Sequence, residues 1–101
     1  LEVDLVVDVS HSAAASDYSG YNLAAETQVT VPASSTPSIG ATVANEFVGT
    51  DASRRSVVSL SFVEGPVIGV LTMLSTSGAV NPAVVEAVAR VQVQKIDAAK
   101  L

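Results

Sequence analysis

The stretch VVSLSFVEGPVIGVLTML at residues 57–74 contains the clearest β-hairpin signal in the chain. In its first half, apolar residues alternate with serines, which is the period of a β-strand. The EGP sequence at 64–66 has the composition of a tight turn, and the apolar run after it is typical of a buried strand. We therefore predict strands over 54–63 and 67–75, paired as an antiparallel hairpin.

Two segments before this hairpin also alternate between apolar and polar residues. Residues 1–10 place Leu and Val at the odd positions, and residues 21–31, YNLAAETQVTV, show a similar period of two. This pattern predicts two further strands that are buried on one face. Between them, SAAASDYSG at 12–20 has turn composition and is predicted to be a loop.

The C-terminal segment NPAVVEAVARVQVQKIDAAKL at 81–101 begins with the best helix start signal of the chain. Asn81 is a favourable N-cap residue, and Pro82 suits the first helical position. An apolar stripe follows at helical spacing, so we predict one helix. A second short helix is predicted at 37–48, although residues 39–43 also fit a strand.

These elements predict an α+β fold in which a four-stranded antiparallel sheet is covered on one face by the C-terminal helix. A length of 101 residues allows one small domain, residues 1–101. The chain begins with Leu1 rather than Met, so we expect a processed chain or a fragment of a longer one.

Composition excludes several classes of function. The net charge is −5, and every Lys and Arg lies in residues 54–101, so no basic stripe is available for nucleic acid. The chain has no Cys, which excludes disulfides, thiolate nucleophiles and Cys-based zinc sites. No apolar run reaches the ~20 residues of a membrane span.

The sequence DVSHS at 8–12 is the strongest candidate for a ligand site. It resembles the first metal-binding loop of von Willebrand factor A-type domains, in which a strand ends in Asp-x-Ser-x-Ser. The resemblance implies that Asp8, Ser10 and Ser12 bind Mg²⁺ or Ca²⁺, for which carboxylate and hydroxyl oxygens are suitable ligands. That family also uses a Thr and an Asp from later loops, and neither can be placed in this chain.

The single histidine, His11, is not expected to form a catalytic Asp-His-Ser relay with Asp8 and Ser10. On a strand, Asp8 and Ser10 share one face and His11 points to the other. A Ser-His-Asp relay needs the serine and the aspartate to contact the two sides of the histidine ring. With no nucleophile motif, a non-enzymatic protein is favoured. A small hydrolase or isomerase that uses carboxylates from different strands remains an alternative.

Two residue pairs are further candidates for interaction. Tyr18 and Tyr21 flank a glycine-containing segment, and tyrosines in such loops are typical of recognition surfaces. Arg54 and Arg55 form an adjacent cationic pair that can bind a carboxylate or phosphate. The alternative for the arginines is that they begin a strand and keep its edge soluble.

The preferred function is a self-associating structural module that forms homo-oligomers. The chain is very apolar for its size, and its strands contain little Lys to prevent pairing with another copy. Its acidic first half and mildly basic second half are also opposite in charge, which favours contacts between copies. Residues 80–92, VNPAVVEAVARVQ, are also similar to the opening of the small refractile-body (R-body) subunits, which assemble into ribbons. That similarity is confined to these residues, and no residue role is assigned from it.

Overall fold

The computed structural model describes residues 1–101 and shows an α+β fold with five strands and two helices. The elements, in chain order, are β1 (Glu2–Val7), α1 (His11–Thr27), β2 (Ala33–Ser35), β3 (Val43–Thr50), β4 (Ser56–Glu64), β5 (Val67–Ser75) and α2 (Pro82–Ala99). All neighbouring strands pair antiparallel in one sheet of order β1-β5-β4-β3-β2. The fold class is therefore as predicted, but the sheet has five strands rather than four.

The predicted hairpin forms the centre of the sheet. Strands β4 and β5 pair along their whole length and are joined by a turn in which Gly65 has φ +54°. The residues Val58, Leu60 and Phe62 pack with α2 in the main hydrophobic cluster. The opposite face of β4 lies under α1, so this strand is buried on both sides.

The C-terminal helix begins where the sequence indicates. The Asn81 side chain accepts a hydrogen bond from the Ala83 N–H at 3.0 Å, as an N-cap does, and Pro82 is the first residue of α2. The helix ends at Ala99, and Lys100 follows in the left-handed conformation. Its buried stripe, which packs against β4 and β5, consists of Val85, Ala89, Val93 and Ile96.

The predicted loop at 12–20 and the predicted strand at 21–31 are both wrong, because α1 occupies most of these residues. The helix buries mainly small side chains, including Ala14 and Ala25. It therefore lacks the broad apolar stripe by which sequence reasoning recognises a helix. As a consequence, helices cover both faces of the sheet rather than one.

The predicted helix at 37–48 is also wrong, since most of this segment forms the approach to β3 and the strand itself. Gly40 has φ +85°, which is incompatible with a right-handed helix at that position. In β3, alternate side chains reach opposite faces of the sheet: Ala44 packs with the α2-side core and Phe47 with the α1-side core.

The two edges of the sheet differ. Strand β2 has three residues and lies between Pro32 and Pro37. Strand β1 has six residues, EVDLVV, with neither Pro nor Lys. Neither helix of the structure is both long enough and apolar enough to cross a membrane.

Candidate functional site

The most exposed apolar surface of the sheet is one face of β1 and its flanking residues. Val3 pairs with Leu71 and Val7 with Val67, and both partners belong to the core on the α2 side. However, α2 packs over β4 and β5 and leaves β1 uncovered. We call the exposed set the β1 row: Leu1, Val3, Leu5, Val7 and Val9, with exposed fractions from 37% to 94%.

Strand β1 is at the edge of the sheet, so the backbone groups on its outer side have no neighbouring strand to pair with. The Asp8 N–H donates to the Pro66 carbonyl at 2.7 Å, which fixes the direction of alternation. Backbone groups of successive strand residues point to alternate sides, so those of the even-numbered residues face β5. The N–H and C=O groups of Val3, Leu5 and Val7 therefore point away from the sheet.

Two valines on the outer side of α2 are also exposed. Val84 and Val91 are 46% and 45% exposed. They lie on the opposite side of the helix from Glu86, which is beside Glu46 of β3. At 3.6 residues per turn both valines also lie on the side of α2 away from its buried stripe, so they face solvent rather than β1.

The DVSHS segment forms the connection from β1 to α1. The Asp8 Oδ1 accepts a hydrogen bond from the Val9 N–H at 2.9 Å, and the Ser10 Oγ accepts one from the Ala13 N–H at 3.1 Å. Ser10 is thus the N-cap of α1, and Ser12 lies in the first turn of the helix. The sequence predicts a strand that continues to residue 10. In the structure β1 ends at Val7, because residues 8–10 lead into the N-cap of α1.

Asp8 also lies beside Asp17 of α1. The hydrogen bond between the two side chains lowers the pKa of Asp8, and the Val9 N–H acts in the same direction. The same contact raises the pKa of Asp17, to which the charge of Asp8 also contributes. The structure contains no group of three or more His, Cys, Asp and Glu side chains arranged to bind a metal.

His11 is the first residue of α1 and has a structural contact. Its Nδ1–H donates to the carbonyl oxygen of Gly65 at 2.9 Å. Since Gly65 lies in the β4–β5 turn, this bond joins the start of α1 to the end of the central hairpin.

The two tyrosines occupy different environments on α1. The Tyr18 hydroxyl is buried, accepts a hydrogen bond from Asn45 Nδ2 at 2.7 Å and donates to the Ser61 carbonyl at 3.1 Å. The Ser61 hydroxyl in turn donates to Asn22 Oδ1 at 2.7 Å. Tyr18 therefore belongs to an internal polar network. Tyr21 is 36% exposed and lies on the surface of the helix.

Tyr21 lines a groove of about 430 Å³ between α1 and the outer part of the sheet. Glu2 and Asp4 of β1 and Thr72 of β5 are also part of its lining. The groove lies on the face of β1 opposite the β1 row. This side of the strand is therefore acidic, whereas the β1 row is apolar.

The arginine pair lies in the connection between β3 and β4. Arg55 Nε forms an ion pair with Asp51 Oδ2 at 2.7 Å. The Asp51 Oδ1 accepts hydrogen bonds from the N–H groups of Arg55 and Ser53, and these lower the pKa of Asp51, with the Arg55 N–H bond the largest cause. Arg54 has φ +64° and an exposed side chain. Arg55 thus stabilises its own loop, whereas the exposed Arg54 side chain forms no ion pair.

Sequence reasoning missed the buried carboxyl of Glu46. This residue is 3% exposed, and its Oε2 atom has no hydrogen-bond partner. Burial raises its pKa to about 7, and the nearby Glu86 carboxyl adds to the effect. The missed signal was its position between Ala44 and Val48, where a period of two places all three residues on the same face of a strand.

Comparisons of the chain with protein-family models, with curated proteins and with solved structures find no match. The geometry and chemistry of the chain itself are therefore what point to a function.

Proposed function

We propose that this chain is a non-enzymatic interaction module that associates with copies of itself through the β1 edge. One observation carries the proposal: Val3, Leu5 and Val7 combine outward-pointing backbone groups with exposed apolar side chains. A strand with both features is a template for pairing with another chain. Natural monomers commonly protect such edges with charged side chains, especially Lys, or with Pro or a bulge. Strand β1 has neither Lys nor Pro, and its charged residues Glu2 and Asp4 lie on the face opposite the β1 row.

The energy available at this edge is sufficient for association of moderate strength. Fully burying a Val or Leu side chain contributes ~1.5–3 kcal/mol, and strand pairing buries only part of the exposed area of the β1 row. Each new backbone hydrogen bond adds ~0.5–1.5 kcal/mol. Because association costs ~4–15 kcal/mol in lost freedom, we expect dissociation constants on the order of micromolar.

Molar mass measured by light scattering across protein concentration tests the proposal. We expect a multimer whose mass falls on dilution, and Leu5→Lys to make the chain monomeric because it adds a charge to the edge. Leu23→Lys is the matched control, since Leu23 is 58% exposed on α1, away from β1. A wild-type chain that stays monomeric at millimolar concentration contradicts the proposal.

A second proposal is a divalent-cation site at Asp8, Ser10 and Ser12. The observation that favours it is the adjacent Asp8 and Asp17 carboxyls, neither of which forms an ion pair. A Mg²⁺ or Ca²⁺ ion bound there would reduce the repulsion between them. We expect either cation to raise the thermal midpoint, and Asp8→Ala to abolish that increase. No response of the wild-type chain at millimolar cation contradicts this proposal.

A further inference from the structure

We propose that β1 pairs antiparallel with β1 of a second copy across a two-fold axis that passes beside Leu5. This inference rests on the proposed self-association and specifies its geometry. The partner is a second copy of this chain, the contact is a β-ladder, and the product is a closed dimer rather than a filament.

The choice of β1 for both sides of the contact follows from the difference between the two sheet edges. An open filament requires β1 of one copy to pair with β2 of the next. Strand β2 offers three residues and is flanked by Pro32 and Pro37. Because proline has no N–H and is typical of protected edges, the β2 edge cannot extend a long ladder. Pairing β1 with β1 uses the open edge of both copies.

The backbone of β1 is self-complementary about Leu5. With the axis there, Leu5 lies opposite Leu5 of the second copy, and Val3 lies opposite Val7 of the second copy. These three residues are the ones whose N–H and C=O groups point outward. In this register every outward backbone group of Val3, Leu5 and Val7 meets a partner. Moving the axis by half a residue would place outward-pointing residues opposite inward-pointing ones, and the ladder could not form.

The acidic side chains of β1 select among the remaining registers. An axis beside Asp4 places Asp4 opposite its own copy, and an axis beside Val6 places Asp4 opposite Asp8 of the second copy. Like charges directly opposite each other destabilise a strand pair. With the axis beside Leu5, Asp4 lies opposite Val6 of the second copy. Only Glu2 and Asp8 then remain as an acidic pair, at the two ends of the ladder.

This arrangement joins two five-stranded sheets into one sheet of ten strands. Because the axis is perpendicular to the sheet, both copies of α2 lie on the same face. The two β1 rows become neighbours, with the Leu5 side chains in contact at the centre.

Thiol cross-linking tests the register directly, since the chain has no cysteine of its own. Opposite residues in a hydrogen-bonded antiparallel pair have Cα atoms ~5.5 Å apart, so Leu5→Cys places the two thiols within reach of a short bifunctional thiol reagent. Val3→Cys and Val7→Cys are matched controls. Each places its thiol opposite a valine and ~13 Å along the strand from its own copy. We expect Leu5→Cys to give a covalent dimer in high yield and either control to give little.

Light scattering on the same samples separates the two proposals. A multimer in which Leu5→Cys does not cross-link, or cross-links no better than Val3→Cys, overturns the register and leaves self-association intact. A monomer overturns the proposed function itself. Amide hydrogen exchange on the unmodified chain covers the case in which Leu5→Cys does not fold. The Val3, Leu5 and Val7 amides should become protected as concentration rises, and protection that does not change with concentration overturns the inference.

Discussion

The ring of Phe62 lies against the α-carbon of Gly69, the residue directly opposite it in the β4–β5 pair. A Cβ atom at position 69 would overlap the Cε1 atom of this ring, and Phe62 is fully buried, so the ring has no free space to enter. We expect Gly69→Ala to lower the free energy of unfolding by ~1–3 kcal/mol through overpacking. Urea denaturation followed by circular dichroism measures this change.

Gly20 provides the control for that substitution. It lies inside α1, and no atom is within 4 Å of the position where its Cβ would be. Because glycine destabilises a helix interior, Gly20→Ala should raise the free energy of unfolding by ~0.5–1 kcal/mol. If Gly69→Ala is as stable as the wild type, the ring of Phe62 does not pack against Gly69 as described.

The Tyr18 hydroxyl is the centre of the polar network under α1. Tyr18→Phe leaves the buried Ser61 carbonyl and the partly buried Asn45 amide without this partner. We expect a loss of ~1–3 kcal/mol in the free energy of unfolding, measured by urea denaturation. In Tyr21→Phe, the matched control, the hydroxyl is on the surface and the change should stay within ~0.5 kcal/mol.

The central hairpin and α2 could be predicted from sequence because several local signals agree at each of them. The EGP turn lies between two strands with strong β patterns, and Asn81 and Pro82 form a cap that the structure reproduces. In contrast, α1 could not be recognised. Its partners are Ser61 and Asn45, polar residues on distant strands, and the serine face of β4 resembles a solvent-exposed face in the sequence.

The candidate site was only partly predictable for a related reason. The alternation in β1 indicates a strand with one apolar face, and the structure confirms the strand. Whether that face is buried depends on which strands α2 covers, and this is a property of the sheet order. The sequence contains no local signal that α2 lies over β4 and β5 and leaves Leu5 exposed.

Ser10 caps α1, whereas Ser12 lies in its first turn and has no capping hydrogen bond. Substituting each serine in turn therefore distinguishes an effect on helix capping from an effect on cation binding. Ser10→Ala removes the hydrogen bond to the Ala13 N–H and should lower the free energy of unfolding by ~1 kcal/mol in chelator-containing buffer. Ser12→Ala should have little effect there. With Mg²⁺ added, the proposed cation site requires both variants to lose the increase in thermal midpoint. A full increase in Ser12→Ala would remove Ser12 from that site.

The carboxyl of Glu46 makes stability depend on pH. In the folded chain its pKa is raised to about 7 from an ordinary value of 4.5, first by burial and then by Glu86. The folded state therefore binds a proton more tightly than the unfolded state does. The resulting stabilisation is complete below pH 4.5 and is lost as the pH rises to 7. Asp17 and Glu64 have raised pKa values and act in the same direction, whereas Asp8 and Asp51 act in the opposite one.

Glu46→Gln isolates this contribution, because the amide cannot ionise. We expect the variant to match the wild type near pH 4.5 and to be more stable by ~1–3 kcal/mol at pH 8, since one unit of pKa shift corresponds to ~1.4 kcal/mol. Urea denaturation at fixed protein concentration across this pH range measures the difference. Glu26→Gln, on the exposed surface of α1, is the matched control and should follow the wild-type profile. If Glu46→Gln is destabilised equally at both pH values, the Glu46 carboxyl does not become protonated on folding.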